Sequence, residues 1–224
     1  GNLTIYAPVS SGGGVINLQA DSDITLGSAA QVNGEAGSTA SITMTAATGS
    51  LNMADGSVIN GVGGDVTIAT GSNVSLTQII TTGDVSISSS TGVLTDVSDT
   101  GGADVQAAIL TLATGGSVGT AANPIETAVG QLGVTATAAG TIDIDNTGDL
   151  TLKAITVQGD VAISAASSMT ISSAVNTGGG NLDLDVTDDL HINAAVTTGG
   201  GAVTAQADND LTFTAAGSLN TAGG

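Results

Sequence analysis

Acidic side chains are the only plentiful functional groups in this sequence of 224 residues. It has 20 Asp and Glu residues against a single Lys or Arg, which is Lys153, and a single His, His191, so the formal net charge is −19. Because affinity for phosphates comes chiefly from Lys and Arg, the composition argues against a nucleic-acid partner. An anionic membrane surface is disfavoured for the same reason. Lys153 and His191 each lack a neighbour of their kind, so we interpret both as exposed residues without a catalytic or metal-binding role.

The acids that could act together lie at a repeated position. Asp188 and Asp189 align with Asn209 and Asp210, and Asp208 is adjacent. If the two segments lie in neighbouring coils, their carboxylates come about 5 Å apart, and Ca²⁺ prefers carboxylate oxygens as ligands. We therefore take Asp188, Asp189, Asp208 and Asp210 as candidate calcium ligands. The alternative is that Asp and Asn simply favour tight corners, and the glycine-rich nonapeptide of calcium-stacked β-rolls is absent.

Catalysis has little support in this sequence. Asp183 and Asp185 have the spacing of outward neighbours on one strand, about 7 Å, and paired carboxylates are what a glycoside hydrolase uses. A lyase acting on acidic sugars would need several Lys or Arg residues, and Lys153 stands alone. Aromatic residues make up 1% of the chain, too few for the stacking platforms of a sugar-binding cleft. We expect no enzymatic activity and no cofactor.

The elements that position these acids form a repeat. Short segments that alternate apolar and polar residues, as half-buried strands do, recur along the chain. One set of segments begins at Ile16, Ile42, Val66, Val85, Leu110, Ile142, Val161, Leu182 and Val203. In the last four coils a second set begins eight residues later, at Leu150, Met169, Leu190 and Leu211. Glycines such as those at 178–180 and 199–201 precede the first strand, where a sharp corner needs a positive φ.

Three short strands per coil of about 19–21 residues describe a solenoid, in which each strand pairs with its equivalents in the coils on either side. We therefore predict one all-β solenoid domain over residues 1–224, with about nine to ten coils. Longer coils, such as the 32 residues between Leu110 and Ile142, should carry insertions. The interior should hold stacked aliphatic columns, which fits a chain that is 41% hydrophobic and has no Trp or Cys. No run approaches 18 apolar residues, so we expect no transmembrane segment in this stretch.

The least regular stretch is 95–131. It includes the two coils of unusual length and the acids Asp96, Asp99, Asp104 and Glu126. Loops on a rigid scaffold often carry recognition, so a loop that leaves the rod here is the best candidate for a specific contact. An insertion that is tolerated and binds no partner is the alternative.

Several motifs connect these coils to a known family. Corner and strand segments of the type Gly-Asp-Val-x-Ile occur at 64–68, 83–87 and 159–163, and the phrase Gly-Ser-Val-Gly-Thr-Ala-Ala-Asn-Pro occupies 116–124. With the near-19-residue period, these segments resemble the filamentous haemagglutinin-type repeats of large two-partner-secreted bacterial exoproteins. The resemblance implies a right-handed parallel β-helix, export across a Gram-negative outer membrane, and work as a surface fibre or adhesin.

On this basis we expect a non-catalytic structural rod of a secreted bacterial surface fibre or adhesin, located at the outer cell surface. Its partners would be a host or neighbouring-cell surface, a glycan, or copies of itself. The alternative is a self-assembling fibre, sheath or matrix component without a specific receptor, with a carbohydrate-active β-helix enzyme less favoured. Gly1 and Gly224 both fall at corners within a coil, so we expect an excerpt of a longer rod or a unit that stacks end to end.

Overall fold

The computed structural model describes residues 1–97 and 102–222, and this part consists of strands joined by turns and loops, without a helix. Asp99 and Gly224 lie outside the described residues. Within these ranges there is no helix long and apolar enough to cross a membrane. The described residues form 26 short strands, all of whose pairings with one another are parallel.

The strands fall into three groups along the chain. The first thirteen are β1 (Leu3–Ile5), β2 (Val9–Ser10), β3 (Ile16–Ala20), β4 (Ile24–Leu26), β5 (Gln31–Asn33), β6 (Ile42–Ala46), β7 (Leu51–Met53), β8 (Val58–Val62), β9 (Val66–Thr70), β10 (Val74–Leu76), β11 (Ile79–Thr81), β12 (Val85–Ser89) and β13 (Leu94–Asp96). Two long strands follow, β14 (Val105–Thr114) and β15 (Ile125–Ala139). The last eleven are β16 (Ile142–Asn146), β17 (Leu150–Gln158), β18 (Val161–Ala165), β19 (Met169–Ile171), β20 (Val175–Asn176), β21 (Leu182–Val186), β22 (Leu190–Ile192), β23 (Ala195–Thr197), β24 (Val203–Ala207), β25 (Leu211–Phe213) and β26 (Ser218–Asn220).

The alternation in the sequence sets which face of each strand is buried. In β21, Leu182 and Leu184 are buried whereas Asp183 and Asp185 are exposed, as expected for a strand whose successive side chains point to opposite faces. The buried inward residues form one hydrophobic core that runs from Ile5 to Val196, whereas inward residues of the last coil, such as Leu211, stay exposed.

The predicted fold class is confirmed: the chain is a parallel β-helix of about ten coils. Leu150, Met169, Leu190 and Leu211 lie in successive coils as direct partners in one ladder. The column that begins at Ile142 is also as predicted. It continues through Val161, Leu182 and Val203.

One part of the predicted repeat is wrong. Leu110 is not the predecessor of Ile142, because Leu110 pairs with Leu132 and Leu132 pairs with Leu152. Ile142 is instead the partner of Val118. The 32-residue spacing therefore reflects a change of phase between the two halves of the rod. By this we mean that the ladder on one face of the upstream coils continues downstream through a different strand of the coil.

The change of phase occurs where the ladders merge and divide. Val118 pairs with the start of β16, at Ile142, while Thr127 in β15 pairs with its end, at Asn146. Two upstream ladders thus converge on a single strand. On the other side of the coil, β15 pairs with β17 with two irregularities in register, and β17 then pairs with both β19 and β20. Residues near this junction cannot all follow the regular packing of the other coils.

Candidate functional site

The four predicted calcium ligands lie at the corners before β22 and β25. Oδ1 of Asp189 accepts hydrogen bonds from Nδ2 of Asn209 at 2.8 Å and from the backbone N–H of Asp210 at 3.1 Å. Oδ2 of Asp188 accepts a hydrogen bond from Oγ of Ser168 at 3.0 Å. The two members on the later coil are exposed. Hydrogen-bond donors of the protein therefore already contact the carboxylates of Asp188 and Asp189. A calcium site at this corner stays a prediction.

The bond that Asp189 makes recurs at other corners of the rod. The side-chain oxygen of an Asp or Asn accepts a hydrogen bond from the backbone N–H of a corner residue in the next coil. The distances are 2.9 Å from Asp65 to Asp84, 2.7 Å from Asp160 to Asn181 and 2.9 Å from Asn181 to Ala202. Further examples begin at Asp23, Asn73 and Asp149. Acids at corners thus join neighbouring coils, which is a structural role without a metal.

A different cluster of acids lies at the change of phase. Asp96, Asp104 and Glu126, here called the inner acid cluster, each place a carboxylate oxygen within 4.8 Å of the others. It is the only such group of His, Cys, Asp or Glu side chains in residues 1–97 and 102–222. Asp96 is the last residue of β13, and Asp104 directly precedes β14. The β14–β15 register, which pairs Val105 with Thr127, brings Asp104 next to Glu126.

The inner acid cluster is largely removed from solvent. Asp104 has no exposed surface, Asp96 is 8% exposed and Glu126 is half-buried. Oδ2 of Asp104 accepts a hydrogen bond from the backbone N–H of Glu126 at 3.0 Å, but its Oδ1 has no donor among the described residues. Asn123 lies beside the cluster, since its Nδ2 donates to the backbone carbonyl of Asp96 at 3.3 Å. Within the described residues, Oδ1 of Asn123 is likewise buried without a donor.

Electrostatics in this cluster favour the uncharged form of Asp104. Burial, followed by the negative charge of Asp96, raises the pKa of Asp104 to about 9, although the hydrogen bond from the Glu126 N–H acts in the opposite direction. Compensating positive charge is scarce. Lys153 is exposed on β17, and the amino terminus pairs with Asp21 at 2.8 Å.

Several other buried polar side chains of the rod find partners. Oγ of Ser57 and Oγ1 of Thr77, both buried, are 3.2 Å apart. Oδ1 of Asn146, which is 2% exposed, accepts a hydrogen bond from Oγ1 of Thr127 at 2.9 Å. Since buried polar groups in folded proteins are normally hydrogen-bonded, the bare oxygen of Asp104 calls for an explanation.

Sequence analysis placed the three acids of this cluster in the irregular stretch 95–131 but did not bring them together. The missed signal is that Asp104-Val105 and Glu126-Thr127 are equivalent positions of consecutive coils. That equivalence can be recognised only after each segment has been assigned to its correct coil.

The remaining singled-out residues lie apart from this cluster. Lys153 and the pair Asp183 and Asp185 are exposed on their strands. Nδ1 of His191 is 2.6 Å from Oγ1 of Thr212 in the next coil. None of these side chains belongs to a group with metal-ligand spacing in the described part of the chain.

The stretch 95–131 also contains a projecting turn. Two long strands, β14 and β15, occupy much of it, and residues 115–124 connect them. Backbone hydrogen bonds in both directions between Thr120 and Asn123 close the turn, and Ala121 and Ala122 at its tip are exposed.

Comparisons with protein-family models, with curated proteins and with solved structures found no match.

Proposed function

We propose that this chain is a non-catalytic structural rod of a secreted bacterial cell-surface fibre or adhesin. The observation that carries the proposal is the stack of about ten parallel-paired coils around a single aliphatic core. With strands about 4.8 Å apart, such a ladder has a length on the order of 45–50 Å. The resemblance of its sequence to filamentous haemagglutinin-type repeats supports the same class of protein and its location outside the cell.

Stiffness in such a rod comes from contacts between neighbouring coils. Each inner coil is joined to both neighbours by parallel strand pairing, by stacked side chains and by the Asp and Asn side chains at the corners. The stability of a solenoid is close to a sum over neighbouring repeats, so lengthening the rod adds reach without a new core. The acidic outer surface favours rods that stay apart in solution, because net charge opposes association.

Attachment, in this proposal, uses the turn at residues 120–123 that projects from the rod. Its two exposed alanines offer a small apolar tip, and strands on both sides fix its position. The partner would be a cell-surface protein or a glycan.

The test is attachment of beads coated with the chain to cultured epithelial cells and to a glycan array. The double variant Ala121→Lys and Ala122→Lys should lose attachment while keeping its circular-dichroism spectrum and melting temperature. Asn17→Lys, an exposed change on β3, should attach as the unmodified chain does. Attachment that survives the double variant would contradict a role for this turn.

Experiments on the same protein distinguish an adhesin from a self-assembling fibre or sheath component. A chain that attaches to no cell or glycan but forms growing assemblies in sedimentation experiments would favour a self-assembling fibre or sheath. A chain that does neither would contradict both functions, and measured turnover of a glycan would contradict the non-catalytic rod.

A further inference from the structure

We propose that the inner acid cluster binds one Ca²⁺ ion inside the rod, with the side-chain oxygen of Asn123 as a further ligand. The ion would join the end of β13, the start of β14 and the start of β15 at the change of phase. The inference concerns how the coils are held together, and it does not depend on what the rod attaches to.

The first observation is geometric. Oxygen ligands lie about 2.3–2.6 Å from a bound Ca²⁺, so two ligands of one ion are at most about 5 Å apart. The carboxylate oxygens of Asp96, Asp104 and Glu126 all lie within 4.8 Å of one another. One ion can therefore contact all three acids with small adjustments of their side chains.

The second observation is independent of this spacing. Asp104 is completely buried, and its Oδ1 receives no hydrogen bond from the described residues. Oδ1 of Asn123 is in the same condition, and the Asn123 amide is held beside the cluster by its bond to the Asp96 carbonyl. A buried acceptor without a donor is costly. Here one such acceptor belongs to the three acids and a second lies beside them, and a bound cation would contact both.

The donor set determines the class of ion. Carboxylate and amide oxygens are hard ligands that suit Ca²⁺ or Mg²⁺, whereas zinc sites generally include His or Cys. The chain has no Cys, and its one His bonds to a threonine elsewhere on the rod. Ca²⁺ accepts irregular geometry and many protein ligands, whereas Mg²⁺ demands a near-ideal octahedron and keeps several waters. A buried site with three acids and one amide fits Ca²⁺ better.

A proton is the competing occupant of this cluster. A proton removes one negative charge but leaves the Asn123 oxygen without a partner. A divalent cation compensates two negative charges and contacts both Oδ1 of Asp104 and Oδ1 of Asn123.

The experiment is calcium titration of the metal-free chain at pH 7.5. After treatment with EDTA and exchange into chelator-free buffer, isothermal titration with CaCl₂ should give one site per chain. We expect a dissociation constant on the order of 10⁻⁵–10⁻³ M, from the weakest sensor sites to the extracellular calcium modules. Thermal unfolding by circular dichroism should show a higher melting temperature with 5 mM CaCl₂, as for any ligand of the folded state, and a smaller rise with MgCl₂.

Two variants and one matched control assign the site. Asp104→Asn and Glu126→Gln keep side-chain size and should each weaken calcium binding about tenfold or more, since affinity follows the charge of the ligands. The readout is the calcium-dependent rise in melting temperature, because Asp104→Asn also removes a buried carboxyl and changes the baseline. If Asp104→Asn does not fold, the half-buried Glu126→Gln carries the test. Asp55→Asn, an exposed change in the turn between β7 and β8, should bind calcium as the unmodified chain does.

Three results would overturn the inference. The first is the absence of both heat and a thermal shift at millimolar calcium. The second is undiminished binding in Asp104→Asn or in Glu126→Gln. The third is loss of binding only in a further variant, Asp189→Asn, which would place the calcium site at the corner before β22.

Discussion

Met169 and Leu190 are direct partners in adjacent coils, and both side chains are completely buried. Each also pairs with the equivalent residue of the coil beyond, which is Leu150 on one side and Leu211 on the other. This part of the interior is thus a stack in which each aliphatic side chain of an inner coil packs between two others of similar size. This relationship makes the core continuous, and it explains why few aromatic residues are needed.

Met169→Ala should therefore open a cavity between Leu150 and Leu190. A buried Met, Leu or Ile replaced by Ala costs about 2–5 kcal/mol of unfolding free energy, and the stack leaves no flexible neighbour to fill the space. Guanidinium unfolding measures the global loss. Hydrogen exchange should show the largest loss of protection in β17, β19 and β22, because solenoid coils depend on their immediate neighbours.

Thr170→Ala is the matched control for this change. Thr170 is the next residue on the same strand, faces outward and is only partly buried, so we expect a change of about 0.5 kcal/mol or less. Equal losses in the two variants would contradict the stacked core.

Gly180→Ala should destabilise the rod more than the addition of one methyl group suggests. A Cβ at Gly180 would overlap the carbonyl group of Gly159 in the preceding coil, and a Cβ at Gly201 would overlap that of Gly180. The obstacle is backbone, which cannot move away without breaking the ladder. We expect a loss of about 3 kcal/mol or more, at the upper end of overpacking effects, measured as the guanidinium midpoint.

Gly148→Ala tests the same substitution where there is room. No atom lies within 4 Å of a Cβ placed there, and Gly148 does not have a positive φ. Its effect should stay within about 0.5 kcal/mol. A comparable loss at both glycines would show that crowding at Gly180 is not the cause.

Glycine positions show what the sequence could reveal and what it could not. The rule that corners need a positive φ applies to Gly178, Gly179, Gly199 and Gly200. Gly180 and Gly201 do not have a positive φ. They are required because backbones of neighbouring coils approach closely, which is a property of the stacked rod and is not local to the corner.

The phase of the repeat shows the same limit. Alternating segments identified the strands and the columns through Ile142 and Leu150, because those patterns are local. The pairing of Leu110 with Leu132 was missed because strand β15 continues past the expected corner and carries several residues that fit either phase. The inner acid cluster depends on that pairing, so its position could not be derived before the phase was known.

Asp65→Ala should remove one of the corner bonds between coils. Oδ1 of Asp65 accepts the backbone N–H of Asp84 at 2.9 Å, and Asp65 is exposed, so water can replace part of the bond. We expect a loss of about 1 kcal/mol, the usual net value of a hydrogen bond. Asp65→Asn keeps an acceptor oxygen at the same position and should retain most of the stability. If Asn and Ala were equally destabilising, the carboxylate charge and not the bond would matter.

Asp143 should give the rod a measurable dependence on pH. Its side chain is 9% exposed, and burial raises its pKa above the ordinary value, opposed by a hydrogen bond with Thr141 and reinforced by the charges of Asp145 and Asp160. Asp183 lines the same groove. Because the folded state holds the proton more tightly than the unfolded chain, the contribution of Asp143 is complete below a pH of about 4. It is lost as the pH rises through the raised pKa.

Asp143→Asn removes this titration and keeps the shape of the side chain. Melting temperatures of the two proteins, measured from pH 3.5 to 8 in the presence of EDTA, should diverge as the pH rises, because only the unmodified chain must ionise the buried carboxyl of Asp143. The variant should therefore become relatively more stable towards neutral pH. Parallel curves would mean that Asp143 titrates alike in the folded and unfolded states. A divergence of the opposite sign would mean that its neighbours stabilise the charged form, contrary to the burial and the facing acids seen in the structure.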